Sequence, residues 1–244
     1  MGGKTFSAER IIAKMPAHTC YVEAFAGGAQ VFFRKPRARV EVINDLDSEL
    51  LNFYRCVQTA PWRVARIVSA MPHSRVLYNW LRQHPWPEFQ RYRRAARFWY
   101  LQRTSFAGKV VGQSFGYAKC RPSRQHPVRV ERELKDAAER LHTVTLECGP
   151  WQTVVDRYDG PETLFYLDPP YVDLPYYRHN FTEADHREMS ERLRKLAGRF
   201  MLSYNDHPLI RTLYAWARIE ALEVPYCIKG AQGRAASELL ITGP

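Results

Sequence analysis

The sequence predicts an α/β fold, a mostly parallel sheet wound with helices and interrupted once by a mostly helical insert. Three observations carry that expectation. Short apolar runs rich in β-branched and aromatic residues recur near both ends of the 244-residue chain and alternate with stretches of helical periodicity. Between Thr59 and His142 the periodicity is helical and no convincing strand is present. Charge is segregated in the same way. Between His73 and Arg132 stand 13 Lys and Arg against two acids, Glu88 and Glu131, so this segment carries the whole net charge of +11 and the remainder is balanced at 23 against 23.

Taken in order, Phe6 to Met15 reads as a short amphipathic helix with Phe6, Ile11, Ile12 and Met15 on its apolar face. Cys20 to Phe25 is a strand, Ala26-Gly27-Gly28 a tight turn and Ala29 to Arg34 the start of a helix. Arg39 to Ile43 is a second strand, and after Asn44-Asp45 a helix runs from Leu46 to about Val57. This β-turn-α-β-α unit opens a doubly wound sheet. Segments 61–71, 74–83, 87–104 and 128–141 are helical, with Phe89, Tyr92, Ala96 and Trp99 as a core stripe on the third of them. Residues 105–127, with Gly108, Gly112, Gly116, Pro122 and Pro127 among polar and basic neighbours, form a loop or ribbon. The sheet resumes with Val144 to Leu146, Thr163 to Leu167, Phe200 to Ser203, Ile219 to Glu223 and Glu238 to Thr242, and helices lie near 151–158, 184–197 and 208–217. The expected organisation is one domain of residues 1–58 and 143–244 with an inserted domain, 59–142.

Composition narrows the function classes. An aromatic content of 13% is too high for a disordered chain, and 244 residues suffice for a sizeable core. No apolar stretch approaches the ~20 residues of a membrane span, and no signal-peptide core stands near the N-terminus. Cysteines 20, 56, 120, 148 and 227 are scattered and odd in number, with no CxxC pair, so they read as reduced thiols of a cytoplasmic protein and not as a disulfide framework or metal site. A localised basic excess is the footprint of a nucleic-acid surface; a solvated Arg-rich helix face, or a patch for acidic proteins or membrane headgroups, gives the same composition.

Two segments carry chemistry. The apolar run Leu164 to Leu167 ends in Asp168-Pro169-Pro170-Tyr171. Two prolines donate no backbone hydrogen bonds and hold the chain in a stiff turn just past the strand, where open α/β sheets place ligands. The flanking carboxylate accepts hydrogen bonds and the flanking ring offers a stacking face, a pairing suited to an amino-bearing nucleobase. The second segment is Glu23-Ala24-Phe25-Ala26-Gly27-Gly28-Ala29, a strand ending in small residues that admit a ligand close to the backbone, followed by a helix N-terminus that favours negative charge. Asp45 follows Gly27 by 18 residues, a spacing that suits a carboxylate on ribose hydroxyls and equally suits an N-cap for the next helix. The turn is not GxGxxG, so a pyrophosphate cofactor is disfavoured. Gly2-Gly3-Lys4-Thr5 imitates the end of a phosphate-binding loop but lacks the upstream strand and further glycine that motif needs.

In this order, the glycine turn, Asp45, the basic insert and Phe165 to Tyr171 resemble the Dam-like DNA adenine-N6 methyltransferases of the D12 class, over nearly the whole chain. Asn44-Asp45-Leu46-Asp47, Arg103-Thr104-Ser105-Phe106-Ala107-Gly108, Ser203-Tyr204-Asn205-Asp206 and Glu238-Leu239-Leu240-Ile241 also look like segments of that family. The resemblance implies a Rossmann-like S-adenosylmethionine-dependent methyltransferase sheet whose helical insert is a target-recognition domain. It implies S-adenosyl-L-methionine as cofactor and S-adenosyl-L-homocysteine as product. Gly3, Lys4, Glu23, Phe25, Ala26, Gly27, Gly28 and Asp168 are then the cofactor-binding residues, with Asp45 on the ribose. Asp168, Pro169, Pro170 and Tyr171 form the catalytic turn, where Asp168 and the carbonyl of Pro169 accept hydrogen bonds from the exocyclic amine of a flipped-out adenine and Tyr171 stacks on the base. Ala29 replaces the second turn glycine of the family. Pro150 replaces an acidic residue expected beside the cofactor adenine, where Trp151 is placed to stack instead.

Such a site needs no metal and no covalent enzyme intermediate. An aromatic amine is a poor nucleophile because its lone pair is delocalised, and two acceptors on its hydrogens favour a localised lone pair. Arg91, Arg93, Arg94, Arg97 and Arg103, with Lys109, Lys119, Arg121 and Arg124 from the loop, are candidate contacts to double-stranded DNA. Tyr176, Tyr177, Arg178 and His179 read as a lid or as ordinary loop packing. A monomer in the cytoplasm, associated with the nucleoid, is expected; the recognition sequence and any cognate restriction endonuclease are not legible. The alternatives are methylation of cytosine N4 or of RNA adenine, and a catalytically silent DNA-binding protein on the same fold.

Overall fold

The computed structural model describes residues 7–105, 114–116, 127–174, 180–224 and 236–243. Two compact units divide the chain between Asn44 and Asp45 and between Cys148 and Gly149. The first stretch of the sheet unit supplies α1 (Ala8–Ile12), β1 (Cys20–Glu23) and β2 (Val40–Asn44). The helical unit follows with α2 (Ser48–Thr59), α3 (Pro61–Ser69), α4 (Arg75–Gln83), α5 (Arg91–Thr104), α6 (Pro127–Leu141) and the short strand β3 (Thr145–Glu147). The sheet unit is completed by α7 (Trp151–Tyr158), β4 (Thr163–Leu167), α8 (Glu183–Leu193), β5 (Arg199–Asn205), α9 (Pro208–Leu213), β6 (Arg218–Val224) and β7 (Ala236–Thr242). Each predicted strand is present, and the α/β class holds.

Strands of the sheet unit lie side by side in the order β2-β1-β4-β5-β7-β6. The first three pairings are parallel; β7 runs antiparallel to both β5 and β6. β4 is buried along its whole length, which explains its unbroken apolar reading. Val22, Phe165, Leu167, Leu202, Leu239 and Ile241 from the strands pack with Trp151, Val155, Met189, Leu193 and Ile210 from the helices in one continuous core. α8 starts at a capping box, in which the Thr182 hydroxyl accepts from the Asp185 N–H while the Asp185 carboxylate accepts from the Thr182 N–H. It ends at Leu193, short of the expected 197, because the next residues unwind to place the N–H groups of Ala197 and Gly198 on the Asp159 carboxylate at 3.0 and 2.9 Å. At Gly198 the backbones come so close that a Cβ would stand 2.8 Å from the carbonyl oxygens of Gly160 and Thr163.

In the helical unit, the N-cap of α2 is Asp47, whose carboxylate accepts from the N–H groups of Glu49 and Leu50. Asp45 is therefore not the cap of that helix; its own Oδ1 accepts the Asp47 N–H at 2.9 Å. Pro61, with no N–H to lose, opens α3. The anticipated α5 stripe is shifted. The helix begins at Arg91, Phe89 before it is 83% exposed, and the buried face is Ala95, Ala96, Trp99, Tyr100, Leu101 and Thr104. Tyr100 anchors the chain ahead of α4, donating to the carbonyl of Pro72 at 2.8 Å and accepting the Ser74 N–H at 3.1 Å.

Candidate active site

The two signature turns, distant in sequence, leave neighbouring strands. β1 lies between β2 and β4, with Val22 level with Phe165 and Glu23 level with Tyr166. The turn after Glu23 and the turn after Leu167 thus emerge side by side at the carboxyl edge of the sheet. There the chain leaves β1 toward β2 on one side and leaves β4 toward β5 on the other, which opens the crevice in which doubly wound sheets bind ligands.

The first turn is shaped by left-handed backbone. Gly27 has φ +46° and so does Ala29. Gly27 is exposed, and a Cβ there would meet nothing within 4 Å, so the turn presents open space to an approaching group. Asn44, the last residue of β2, donates through Nδ2 to the carbonyls of Ala24 at 2.9 Å and Gly149 at 3.0 Å, while its Oδ1 accepts the Gly149 N–H. The expected helix at 29–34 is absent. Phe33 N–H bonds to Ala29 O and Lys35 N–H to Val31 O, but Arg34 N–H turns back to Val31 O, so only broken turns form before Pro36. Left-handed Ala29 cannot belong to a right-handed helix. No helix terminus therefore faces a ligand here, and backbone openness takes over the role that a helix dipole was expected to fill.

Beneath this turn lies Glu23, 2% exposed. Its Oε2 accepts from the Tyr21 hydroxyl at 2.9 Å and from the Phe32 N–H at 3.1 Å, tying strand to turn. Burial raises its pKa to about 8, hydrogen bonding from Tyr21 opposes the shift, and the charge of Asp168 adds to it. Behind it a second buried pair, Lys35 and Glu41 at 2.7 Å, has the ammonium 4.3 Å from the centre of the Tyr21 ring. Glu23 thus holds strand and turn together.

Asp168 is half-buried, one residue beyond β4, with Pro169 and Pro170 buried after it. Its charge is felt widely: together with burial it raises the pKa of the Tyr166 and Tyr171 hydroxyls. The Tyr171 hydroxyl donates to Glu238 Oε1 at 3.1 Å, and its ring packs 6.0 Å from that of Tyr204. Tyr204 and His186 Nδ1 are hydrogen-bonded at 2.7 Å. From His186 the rings continue through Phe181 at 5.3 Å to Phe25 at 5.8 Å and Trp151 at 6.3 Å, so one aromatic wall joins the two turns. Trp151, placed in sequence to stack on a ligand, is only 6% exposed and belongs to the core, while half-buried Phe25 remains open to a ligand. The loop after the prolines is pinned as well: Asn205 Nδ2 donates to the Val172 carbonyl at 3.1 Å, and His207 lies 3.3 Å from Asp173, which has φ +60°.

Of the expected site residues, Glu23, Phe25, Ala26, Gly27, Gly28, Asp168, Pro169, Pro170 and Tyr171 gather at this edge. Gly3 and Lys4 lie outside the described residues, as do Lys109, Lys119, Arg121, Arg124 and the segment Tyr176 to His179. The arginines of α5 fall into two classes. Arg94 is ion-paired with Glu49, Arg97 donates to the Leu81 carbonyl at 2.6 Å, and Arg103 donates to both oxygens of Glu133 at 2.8 Å. Arg91 and Arg93 are exposed, and their guanidinium groups donate to the neighbouring Tyr92 hydroxyl and to Gln90 Oε1. Sequence reasoning missed Glu238, Asn205, His207, His186 and Phe181. For Glu238 and Asn205 a signal existed, since both stand in the family-like segments; nothing in one sequence indicates that these segments meet the Pro-Pro turn.

Among the described residues no cluster of His, Cys, Asp and Glu is arranged to hold a metal ion, and no helix is long and apolar enough to cross a membrane. The chain resembles the type II methyltransferase M.MjaIII of Methanocaldococcus jannaschii, at 25% identity over 80% of this chain and 78% of that protein. It is 24% identical to the type II methyltransferase M.CviBI of Paramecium bursaria Chlorella virus NC1A, over 99% of this chain and 94% of the viral protein. A DNA adenine methylase of Vibrio cholerae is 25% identical over 98% of this chain and 92% of its own length. The pattern of the D12 class N6 adenine-specific DNA methyltransferases matches residues 1–226. With the glycine turn and Asp168-Pro169-Pro170-Tyr171 side by side at the sheet edge, the chain belongs to that family, the D12 class N6 adenine-specific DNA methyltransferases.

Proposed function

We propose that the turn Asp168 to Tyr171 receives an adenine rotated out of duplex DNA and prepares its N6 amine for methylation by direct displacement. The observation that carries this reading is the adjacency of the two turns on β1 and β4, which brings a backbone surface open at Gly27 next to a carboxylate and a braced aromatic ring. Phe25, Ala26, Gly27 and Gly28 hold the methionine part of S-adenosylmethionine and Asp45 its ribose, and in this reading Gly3 and Lys4 serve the same ligand. The openness at Gly27 and the nearby acidic side chain of Asp168 fit a ligand that carries a sulfonium charge. That ligand supplies an electrophilic methyl group. Asp168 and the Pro169 carbonyl accept the two hydrogens of the amine, localise its lone pair and orient it, and Tyr171 stacks on the base. The methyl would pass from the sulfonium sulfur, left behind as the neutral thioether of S-adenosyl-L-homocysteine, to N6, and the proton shed by the amine would go to the Asp168 carboxylate, one of its two acceptors.

The helical unit, with the basic segment around α5, is proposed to hold the duplex. Exposed Arg91 and Arg93 reach phosphates, whereas Arg94, Arg97 and Arg103 brace the helices. Replacing Arg91 and Arg93 by Glu then lowers DNA affinity and reduces the dependence of log K on log salt by about one unit per lost contact; an unchanged slope removes them from the interface. The reaction is tested by nucleoside mass spectrometry on unmethylated plasmid DNA incubated with the protein and S-adenosylmethionine. N6-methyladenine is expected. N4-methylcytosine would reassign the base, and no modified base in the presence of measurable cofactor binding would reject the proposed chemistry.

A further inference from the structure

We infer that Glu238 is a positioning residue for methyl transfer, holding the ring of Tyr171 in the plane needed to stack on the target base. The inference rests on the proposed role of Tyr171 and adds a residue to which that role is mechanically tied. β7 is the reversed strand of the sheet, antiparallel to β5. Reversal brings the first half of β7, and with it Glu238, to the carboxyl edge where the parallel strands end. Glu238 stands directly opposite Asn205 in the β5–β7 register. Side chains directly opposite in an antiparallel pair project to the same face. These two take hold of successive residues after the prolines: Glu238 accepts the Tyr171 hydroxyl at 3.1 Å, and Asn205 donates to the Val172 carbonyl at 3.1 Å.

A ring attached only at Cβ turns about two side-chain torsions. With Tyr204 packed 6.0 Å away and the far hydroxyl tethered to a strand, both torsions of Tyr171 are fixed before any base arrives. Stacking then costs little ordering at the moment of reaction, and the amine is delivered in register with the acceptors of the turn. The buried hydroxyl remains protonated and so remains a donor, because burial and the charges of Asp168 and Glu238 all oppose its ionisation.

Single-turnover methylation of unmethylated plasmid DNA by the full chain, read as N6-methyladenine formed, tests this with Tyr171→Phe, Glu238→Ala, Glu238→Gln and the Tyr171→Phe/Glu238→Ala double variant. Loss of a hydrogen bond to a charged acceptor predicts about a tenfold slower step for Tyr171→Phe and Glu238→Ala, with the double variant no slower than the slower single. Glu238→Gln, which keeps an acceptor oxygen, stays within about threefold of wild type, and the heat of S-adenosylmethionine binding is unchanged throughout. A wild-type rate for Glu238→Ala, or losses that multiply in the double variant, overturns the inference. If Glu238→Ala does not fold, the other variants decide: Tyr171→Phe at the wild-type rate overturns it, and a slow Phe variant beside a competent Gln variant supports it. Tyr171→Ala separates the levels. Full activity there rejects the stacking role itself, whereas an inactive Ala variant with a fully active Phe variant rejects only the brace.

Discussion

The two turns at the carboxyl edge solve the same problem with opposite means. The turn after β1 is built from within: Gly27 and Ala29 both take φ +46°, and the buried carboxyl group of Glu23 holds strand and turn together from below. The turn after β4 is stiff by composition, with Pro169 and Pro170 in succession, and is steadied from outside by Glu238, Asn205 and His207. A surface that a ligand must approach closely needs small residues and unusual torsions, so its support lies underneath. A surface that must present a carboxylate and a ring needs fixed side chains, so its support comes from neighbouring strands.

The largest test of this division is Asp168→Ala. Removing the acceptor should slow methyl transfer by roughly a thousandfold while DNA binding persists; turnover near wild type would take the second turn out of the chemistry. Next in size is the pH response carried by Glu23. Its folded pKa of about 8 lies above its ordinary value of 4.5, so between these limits the native protein keeps a proton that the unfolded chain has lost. Stability from this group is fully present below about pH 4.5, falls as pH rises through the window, by up to about 1.4 kcal/mol per pH unit, and levels off above pH 8. Denaturant unfolding of wild type and Glu23→Gln across that range should show this slope in the wild type alone. Identical slopes would mean that Glu23 does not support the first turn as a protonated acid.

Smaller effects separate the two left-handed residues of the first turn. Ala29 is buried, and a β-branched side chain at positive φ is both strained and overpacked, so Ala29→Val should cost about 3 kcal/mol in urea unfolding. Gly27 faces open space, so Gly27→Ala should cost only the torsional penalty, about 1 kcal/mol, while the added methyl obstructs the approach of S-adenosylmethionine and weakens its binding in calorimetry. If the two substitutions cost the same stability, the distinction between a buried support and an open face fails.

Much of this was legible in one dimension because local chemistry forces it. A short, largely apolar run closed by Asp168 and two prolines has few conformations, and the bounds of β4 fall where the run Thr163 to Leu167 places them. The same holds for α7 at 151–158 and for the segregation of basic residues in the central part of the chain. Errors arose where a tertiary partner outweighed a local preference. Ala29 to Arg34 has helical composition, yet the turn binds Glu23 through the Phe32 N–H and starts from a left-handed residue. Partners too are hidden in one dimension: Arg94, Arg97 and Arg103 look identical to Arg91 and Arg93 in sequence, and packing shows the carboxylates or carbonyl that the first three bind.

By itself the sequence determined which chemistry is on offer: a carboxylate and a ring around a Pro-Pro turn, a small-residue turn for a bulky ligand, and a basic segment for a polyanion. These follow from side-chain composition and short-range torsional limits, which need no partner. Tertiary structure alone decided which residues serve that chemistry and which support it. It placed β1 beside β4, reversed β7 so that Glu238 reaches Tyr171, and buried Glu23 beneath the turn it was expected to line. Strand order and burial are set by the joint packing of segments from a few tens to more than a hundred residues apart, and no local pattern encodes them.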